Sequence, residues 1–190
     1  KQVIEINIDN FAKQVNAEKS ETMFSSNEKE ILAKYLDEEA IELVDEWMEK
    51  QQYYLIKSSI NLAKEKGKCS KFNTSKYSNG WLPIDKDINI AKRKYSMDWE
   101  QLRADIKEFG LRHTTFTAEM PVESSSLCQN TTNGVEPARA LLTFKSSKKS
   151  SIPFLVPNVK SCGDHYQLAY DMENNIGYLN VCNAIQKWMD

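Results

Sequence analysis

The feature that most constrains the fold is an unbroken stretch without glycine or proline between Glu28 and Lys66. Its abundant Glu, Lys, Leu and Ala favour α-helix, and Gly67 directly after it is typical of a helix C-terminus. A stretch of this length predicts two helices with a break near Asp37. One face of the second part carries apolar or small side chains at helical spacing, and we expect it to pack in a hydrophobic core. These residues are Val44, Trp47, Met48, Leu55, Ser59 and Leu62.

Another helix is predicted from Trp99 to Phe109. Asp98 is a typical N-cap, Gln101 occupies the capping-box position three residues later, and Gly110 suits the C-terminal stop. Before this helix, the segment Ser70–Pro83 is rich in turn-forming and aromatic residues, which predicts an ordered surface loop.

Segments with alternating or β-branched residues predict strands. These are Val3–Ile8, Thr114–Glu119, and a hairpin of Leu141–Lys145 and Ile152–Val156 around the turn Ser146–Ser151. Further helices are predicted over Asn10–Lys19, Tyr166–Met172 and Tyr178–Met189. The mixture indicates an α/β fold that is rich in helix.

The composition is that of an ordinary folded domain. Of 190 residues, 41% are hydrophobic, which is enough for a core, and the net charge is only −2. Lys and Arg are spread along the chain apart from Lys92–Lys94 and Lys148–Lys149, which argues against direct nucleic-acid binding. No apolar run approaches the roughly 18 residues of a membrane helix, so no membrane partner is expected.

The two ends of the chain also guide the interpretation. The start, Lys1–Glu5, is mixed and charged and lacks the features of a secretory signal peptide, so we expect a cytoplasmic protein. The chain begins without Met and stops at Asp190 inside a helical pattern without a cap. We therefore expect a piece of a longer protein.

Four cysteines lie far apart in the sequence: Cys69, Cys128, Cys162 and Cys182. None forms a CxxC pair, and neither His113 nor His165 lies at metal-ligand spacing from a cysteine. The sequence therefore predicts free thiols in a reducing compartment and no metal site.

The run Met120–Ser126 (MPVESSS) is the most unusual part of the sequence. Small hydroxyl residues directly after a predicted strand can turn the backbone so that several N–H groups point the same way. Such a nest binds phosphate without help from lysine. The competing interpretation is a solvated linker, which is the more frequent explanation of a serine run. On the residues alone both interpretations stay open.

Other catalytic templates fit poorly. The sequence has no GxGxxG, P-loop, HExxH or GxSxG motif. A triad of Ser124, His113 and Asp98 can be assembled on paper, but no spacing favours it. Cys128 lies close to the serine run, which raises the hypothesis of a nucleophilic or redox role. The favoured interpretation of Cys128 is a small buried residue.

Several separate motifs follow one another in a fixed order along most of the chain. They are Gln52–Ser59, Leu62–Gly67, Trp81–Asp85, Trp99–Pro121, Met120–Ser126, Asn130–Pro137, Gly177–Leu179 and Gln186–Asp190. Together they resemble the large (alpha) subunit of class I ribonucleoside-diphosphate reductases over residues 46–190, whereas residues 1–45 match weakly. MPVESSS is similar to the family's Met-Pro-x-Glu-(Ser/Thr)-Ser-Ser. NTTNGVEP is similar to its Asn-x-Thr-Asn-Gly-(Ile/Val)-Glu-Pro.

The resemblance implies a fold, an activity and a site. The fold is part of a ten-stranded α/β barrel, so residues 1–190 would form a single partial, helix-rich domain. Large subunits of this family reduce ribonucleoside diphosphates to deoxyribonucleoside diphosphates by a radical mechanism, for DNA synthesis. A loop equivalent to residues 120–134 holds the substrate diphosphate. Carried over by position, the expected phosphate-binding residues are Val122, Glu123, Ser124 and Ser125.

The resemblance also implies what this chain does not supply. By motif order the radical cysteine and the redox-active cysteines of the family fall outside it, so no catalytic residue is expected here and the chain alone should be inactive. No cofactor is expected in this chain, because the family's metal/radical cofactor belongs to the small subunit. The expected partners are the rest of the large subunit, the radical-bearing small subunit, a ribonucleoside diphosphate and a thioredoxin- or glutaredoxin-type reductant.

Two other hypotheses stay open. In the first, the chain is a diverged, non-catalytic fragment that acts as a binding or assembly module. The weak match of the first residues supports it, because Glu5–Asn7 stands where the family has glycines that allow close backbone approach. In the second, the chain is an unrelated helical scaffold with a serine linker, and the ordered set of motifs argues against this.

Overall fold

A computed structural model describes residues 38–86, 95–146 and 151–190. The helices and strands in chain order are α1 (Glu38–Lys66), α2 (Trp99–Phe109), α3 (Glu123–Cys128), β1 (Leu142–Ser146), β2 (Ser151–Leu155), α4 (Val159–Cys162) and α5 (Ile176–Trp188). Short 3-10 helices include Phe72–Thr74, Lys76–Asn79, Pro83–Lys86 and Gly163–His165. The strand predicted at Val3–Ile8, the helix predicted at Asn10–Lys19 and the break near Asp37 lie outside the described residues.

The chain divides into two compact units. The first unit contains the described residues up to Val44 and those from Met120 to Cys182. The second unit contains the described residues of Asp45–Glu119 together with Asn183–Asp190. The loop of residues 120–134 therefore belongs to the first unit, and most of α1 belongs to the second.

Helix α1 is continuous over its described length and ends as predicted. Gly67 adopts a φ of +80°, and its N–H donates to the carbonyl of Ala63 at 2.9 Å. A left-handed residue at this position closes a helix, and glycine adopts that conformation without steric cost. Acidic residues fill the first turn and basic residues the last, which suits the helix dipole.

The buried face of α1 differs in part from the prediction. Leu55 and Leu62 are only half-buried, whereas Ile56 and Ile60 are fully enclosed. The other four predicted residues, Val44, Trp47, Met48 and Ser59, are buried as expected. The buried side of α1 also includes the polar residues Glu49 and Gln52, which a pattern of apolar side chains does not count. At helical spacing these two residues lead to Ile56 and Ile60 and not to Leu55 and Leu62.

Aromatic rings form the centre of the second unit. The indole of Trp99 stacks on that of Trp188 at 5.7 Å between centroids, and Tyr53 meets Trp99 edge-on at 5.4 Å. Trp188 is fully buried, and its Nε1 donates to Oδ1 of Asp45 at 2.6 Å. Asp45 also forms an ion pair with Lys187 at 2.5 Å. These contacts fasten the end of α5 to α1.

Helix α2 begins and ends where the sequence predicts. The Asp98 carboxylate accepts from the amide of Gln101 at 3.0 Å, which is the N-cap hydrogen bond. At the other end Gly110 has a φ of +74° and donates its N–H to Ile106. A Cβ at Gly110 would lie 2.9 Å from Cβ of Lys68, so the close approach of these two segments also requires glycine.

A buried carboxylate on α1 holds the chain that leads into α2. Glu49 is 2% exposed, and its Oε1 accepts from the amides of Ser96 at 2.8 Å and Met97 at 3.0 Å. The same oxygen accepts from Nε1 of Trp99 at 3.0 Å. Three donors on one acceptor compensate for the removal of the carboxylate from water.

A second polar anchor on α1 holds the chain that leaves α2. Ser59 is 1% exposed, and its Oγ accepts from the amides of Arg112 at 3.1 Å and His113 at 3.0 Å. Nδ1 of His113 lies 3.1 Å from the same oxygen. The segment after α2 therefore runs along α1 in a fixed register.

The segment Ser70–Pro83 is ordered, as predicted, but several of its large side chains belong to the core and not to the surface. Phe72, Tyr77 and Leu82 are all buried. Directly after it, Asp85 accepts two hydrogen bonds from the guanidinium of Arg103, at 2.9 and 3.0 Å.

These contacts shift the pKa of Asp85. Burial alone raises that pKa, but hydrogen bonds from Arg103 and from the amide of Leu82, together with the positive charge of Arg103, outweigh it. The net result is a pKa held below the ordinary value for an aspartate.

The predicted hairpin is confirmed within one residue at each strand. Strands β1 and β2 pair antiparallel, from Leu142 opposite Leu155 to Ser146 opposite Ser151. Ser146 Oγ lies 3.0 Å from Ser151 Oγ, which places both side chains on one face at the end of the ladder. The last predicted helix is also confirmed, although it begins at Ile176, two residues earlier than expected.

Two predicted elements are wrong. Thr114–Glu119 is not a strand, because the amides of Phe116 and Thr117 donate to the Asp190 carboxylate and not to a neighbouring strand. Tyr166–Met172 is not a helix, because the amide of Ala169 donates to the carbonyl of Ala138, far away in the sequence. In both places the backbone amides bond to residues distant in sequence, and not to the partners that a strand or a helix would give them.

The helix-rich character is confirmed. Among the described residues the single sheet is the two-stranded hairpin. The ten-stranded barrel stays a prediction.

Replacing Glu49 with Ala should lower the free energy of unfolding by about 2 kcal/mol, because it leaves three N–H donors without their acceptor. Urea denaturation followed by tryptophan fluorescence measures the change. The matched control is Glu46→Ala in the same helix, because Glu46 is exposed and forms a surface ion pair with Lys50. The control should change the stability by about 0.5 kcal/mol or less. Equal effects would show that Glu49 does not anchor the chain.

Replacing Asp85 with Asn should cost about 1 kcal/mol of stability at neutral pH. Because the folded-state pKa of Asp85 is lowered, its contribution is present above the ordinary aspartate value of about 3.9 and is lost as the pH falls through the folded value. The wild type and the variant should therefore converge in strong acid. The stability of Arg103→Gln should approach that of the wild type over the same pH range. A stability difference that does not change with pH would contradict the lowered pKa of Asp85.

Candidate functional site

The four residues predicted to bind phosphate lie together where the chain enters helix α3. Val122 directly precedes the helix, and Glu123, Ser124 and Ser125 are its first three residues. The predicted turn is therefore present, although it takes the form of a short helix and not of an open loop.

Two of the four amides already have acceptors within the chain. The N–H of Val122 donates to the carbonyl of Asn133 at 2.9 Å, which joins the two ends of the loop. The N–H of Ser125 donates to the carbonyl of Val122 at 3.1 Å, and the Ser125 hydroxyl donates to the same oxygen at 2.5 Å. The first N–H groups of a helix have no intrahelical acceptor, so the amides of Glu123 and Ser124 are the donors best placed for a ligand.

The segment after α3 folds back over the end of the helix and fixes it. Gln129 donates its amide to Ser125 at 3.2 Å, and Thr131 donates its amide to Ser126 at 2.8 Å. Asn130 between them adopts a φ of +52°, the left-handed conformation that asparagine tolerates at a helix end. Ser126 and Thr131 are both buried. The turn before α3 therefore rests on a packed frame.

Sequence reasoning missed the residues that build this frame. The motif Asn130–Pro137 contained the signal, because the resemblance included it, but its physical role is visible only in the structure. Thr132 donates its hydroxyl to the carbonyl of Gly134 at 3.0 Å. A Cβ at Gly134 would lie 2.3 Å from a carboxylate oxygen of Glu136, so glycine allows that carboxylate to lie against the backbone.

The electrostatics of the loop depend on its backbone. Residues 120–134 contain no Lys, Arg or His and one acidic residue, Glu123. An anion here would therefore be held by amide dipoles and hydroxyls, which act at short range and only in the correct direction.

Two members of the alternative triad, Asp98 and His113, have structural partners. Asp98 caps α2, and His113 lies against the hydroxyl of Ser59. The prediction that Cys128 is buried is wrong, because its side chain is exposed at the end of α3. All four cysteines are free thiols, as predicted.

A second polar cluster, which the sequence did not reveal, surrounds Asp190 in the second unit. Oδ1 of Asp190 accepts from the hydroxyl of Tyr77 at 2.5 Å and from Nε2 of Gln52 at 3.2 Å. Oδ2 accepts from the amide of Thr117 at 3.1 Å and from that of Phe116. Burial, followed by the contact with Asp190, raises the pKa of Tyr77, so its hydroxyl stays protonated and remains a donor.

An open cavity of about 490 Å³ adjoins this cluster, and its lining includes Lys71, Lys76, Tyr77, Trp81, Thr114 and Asp190. The Asp190 carboxylate already accepts four hydrogen bonds, so the cluster organises the fold and has no obvious acid or base to offer.

Within the described ranges no three His, Cys, Asp or Glu side chains come together as a metal site. No helix in that same part of the chain is long and apolar enough to span a membrane.

Comparison with known protein families matches residues 29–190 to the ribonucleotide reductase barrel domain. The chain is 44% identical over 161 residues to the ribonucleoside-diphosphate reductase subunit alpha of Haemophilus influenzae. It is 43% identical over 161 residues to the ribonucleoside-diphosphate reductase 1 subunit alpha of Escherichia coli, and 42% identical over 158 residues to the subunit alpha of Enterobacteria phage T4. These alignments cover 80–83% of this chain and 21% of each relative. The chain thus spans about a fifth of the length of these curated relatives.

Proposed function

The chain belongs to the ribonucleotide reductase barrel-domain family, and we propose that it works as part of a ribonucleoside-diphosphate reductase large subunit. Such an enzyme reduces ribonucleoside diphosphates to deoxyribonucleoside diphosphates by a radical mechanism, for DNA synthesis. The observation that carries the proposal is the family match over residues 29–190, supported by relatives that are 42–44% identical. The activity belongs to the whole subunit, and this chain alone is expected to be inactive.

In this proposal the turn at the start of α3 holds the diphosphate of the substrate. Val122, Glu123, Ser124 and Ser125 form the turn, and the amides of Glu123 and Ser124 make the direct hydrogen bonds. The carbonyl of Asn133 holds the amide of Val122 and fixes the direction of the turn. Charge-assisted hydrogen bonds from backbone amides to phosphate are strong enough to orient a substrate without a cationic side chain.

The remaining chemistry is assigned to partners. The radical cysteine and the redox-active cysteines would lie in the rest of the large subunit, and the metal/radical cofactor in the small subunit. A thioredoxin- or glutaredoxin-type protein would return the electrons that each turnover consumes. In this proposal the reductase acts in the cytoplasm and does not contact nucleic acid or membrane directly.

Replacing Glu123 with Pro should weaken binding of a ribonucleoside diphosphate, because it removes one N–H donor to phosphate, at a cost of about 1–3 kcal/mol. Proline is well tolerated at the first position of a helix, so the fold should persist. The matched variant Glu123→Ala keeps the amide and should bind the nucleotide as the wild type does, or more tightly. Calorimetric titration with the diphosphate, and with the nucleoside that lacks phosphates, measures the difference. If Glu123→Pro and Glu123→Ala weakened binding of the diphosphate equally, the backbone amide of residue 123 would not be a phosphate ligand.

A reconstitution assay tests the function as a whole. This chain is mixed with a large-subunit portion that lacks the equivalent of residues 46–190, with the small subunit and with a dithiol reductant. We expect reduction of a ribonucleoside diphosphate only in the complete mixture. Association of the fragments without activity would favour the alternative, a diverged binding or assembly module. No association at all would contradict both hypotheses.

A further inference from the structure

Three consecutive carbonyls in the segment after α3 each accept a hydrogen bond from a residue of the same loop. Thr131 donates its hydroxyl to the carbonyl of Thr132 at 2.9 Å, and Thr132 donates its own hydroxyl to the carbonyl of Gly134 at 3.0 Å. Between these two, the carbonyl of Asn133 accepts from the amide of Val122 at 2.9 Å. Two threonine side chains thus hold the carbonyls on each side of the one that meets the turn before α3.

The need for these hydrogen bonds comes from Gly134, which directly follows the acceptor residue Asn133. Glycine adopts positive and negative φ about equally readily, so a chain that is not held here has several paths open to it. A change of path turns the carbonyl of Asn133 away from the amide of Val122. The hydroxyl of Thr132 removes this freedom, because it binds the carbonyl of the glycine itself and closes a short ring around Asn133.

The position of Val122 decides how the turn meets a ligand. Its amide is held by Asn133, and its carbonyl accepts the amide of Ser125 at 3.1 Å and the Ser125 hydroxyl at 2.5 Å. The next two residues carry the amides of Glu123 and Ser124, which are the donors best placed for an anion. Because an N–H group binds well only along its own direction, a rotation at Val122 re-aims these donors.

We propose that Thr132 is a positioning residue for the substrate diphosphate, and this inference rests on the proposed function of the turn. The Thr132 hydroxyl holds Gly134, which keeps the carbonyl of Asn133 aimed at Val122 and thereby fixes the donors of the turn. Thr132 itself makes no contact with phosphate in this proposal. Its hydroxyl is required and its methyl group is not.

Thr132 is also the member of the pair that can be changed with least damage to the fold. It is half-buried, whereas Thr131 is buried in the frame beneath the turn. A purely structural role predicts that loss of the Thr132 hydroxyl lowers the stability of the first unit as a whole. A positioning role predicts a local change at Val122 and a selective loss of affinity for phosphate.

Two substitutions separate the hydroxyl of Thr132 from its methyl group. Thr132→Val keeps the shape and removes the donor, whereas Thr132→Ser keeps the donor. Hydrogen exchange of the 190-residue chain without ligand, followed by NMR, measures the protection of the Val122 amide. We expect Thr132→Val to speed exchange of this amide about tenfold and Thr132→Ser to leave it close to the wild-type rate. The amides of the hairpin should keep their rates in both variants.

Calorimetric titration with a ribonucleoside diphosphate, and with the nucleoside that lacks phosphates, measures the effect on the ligand. Thr132→Val should weaken binding of the diphosphate about tenfold and leave binding of the nucleoside unchanged, and Thr132→Ser should bind both as the wild type does. The matched control is Thr143→Val, because Thr143 is an exposed threonine of β1 in the same unit. This control should change neither affinity.

The outcomes separate this inference from the function on which it rests. If the wild type does not bind the diphosphate, the proposed function is contradicted and the role of Thr132 falls with it. If the wild type binds but Thr132→Val binds equally well, only the role of Thr132 is overturned. The same holds if Thr132→Ser is as weak as Thr132→Val, or if exchange of the Val122 amide is unchanged in Thr132→Val, because the hydroxyl would then not hold the acceptor in place.

Discussion

The second unit depends on a row of polar side chains along one side of α1. Asp45, Glu49, Gln52 and Ser59 are buried or half-buried, and each binds a segment that is distant in sequence. Leaving one such donor or acceptor unpaired inside a protein costs about 1–3 kcal/mol. Apolar packing alone would tolerate a shift of these segments along the helix, but hydrogen bonds of this kind are satisfied in one register only. The row therefore determines where α2, the segment directly after it and the C-terminal end of α5 lie within the second unit.

This dependence explains which parts of the fold could be predicted from the sequence. The ends of α2 were predictable because the Asp98 cap and the Gly110 stop are local chemistry within one turn. The hairpin was predictable because alternation and a polar turn are also local. The strand over Thr114–Glu119 was not, because a strand exists only when another strand accepts its hydrogen bonds, and here the Asp190 carboxylate takes two of them. The role of Glu49 was invisible as well, since a charged residue on a helix is most often solvated.

The candidate site shows the same division between local and distant information. The serine run and its motif located the turn correctly, because the residue types and their order are in the sequence. Which amides are available for a ligand was not predictable. That depends on the carbonyl of Asn133, eleven residues after Val122, and on the hydrogen bonds that Ser125 makes to Val122. These hydrogen bonds depend on the path by which the loop closes, and the amino-acid composition does not predict that path.

The absence of cationic side chains from residues 120–134 has a consequence for the proposed site. A lysine can swing towards an anion and attracts it over a Debye length of about 8–10 Å, whereas an amide acts only within hydrogen-bond distance and along one direction. A site made of amides therefore depends on the accuracy of its backbone. In this loop that accuracy comes from Asn133 on one side and the buried Thr131 on the other. The residues that hold the turn thus contribute to the site as much as those that would touch the phosphate.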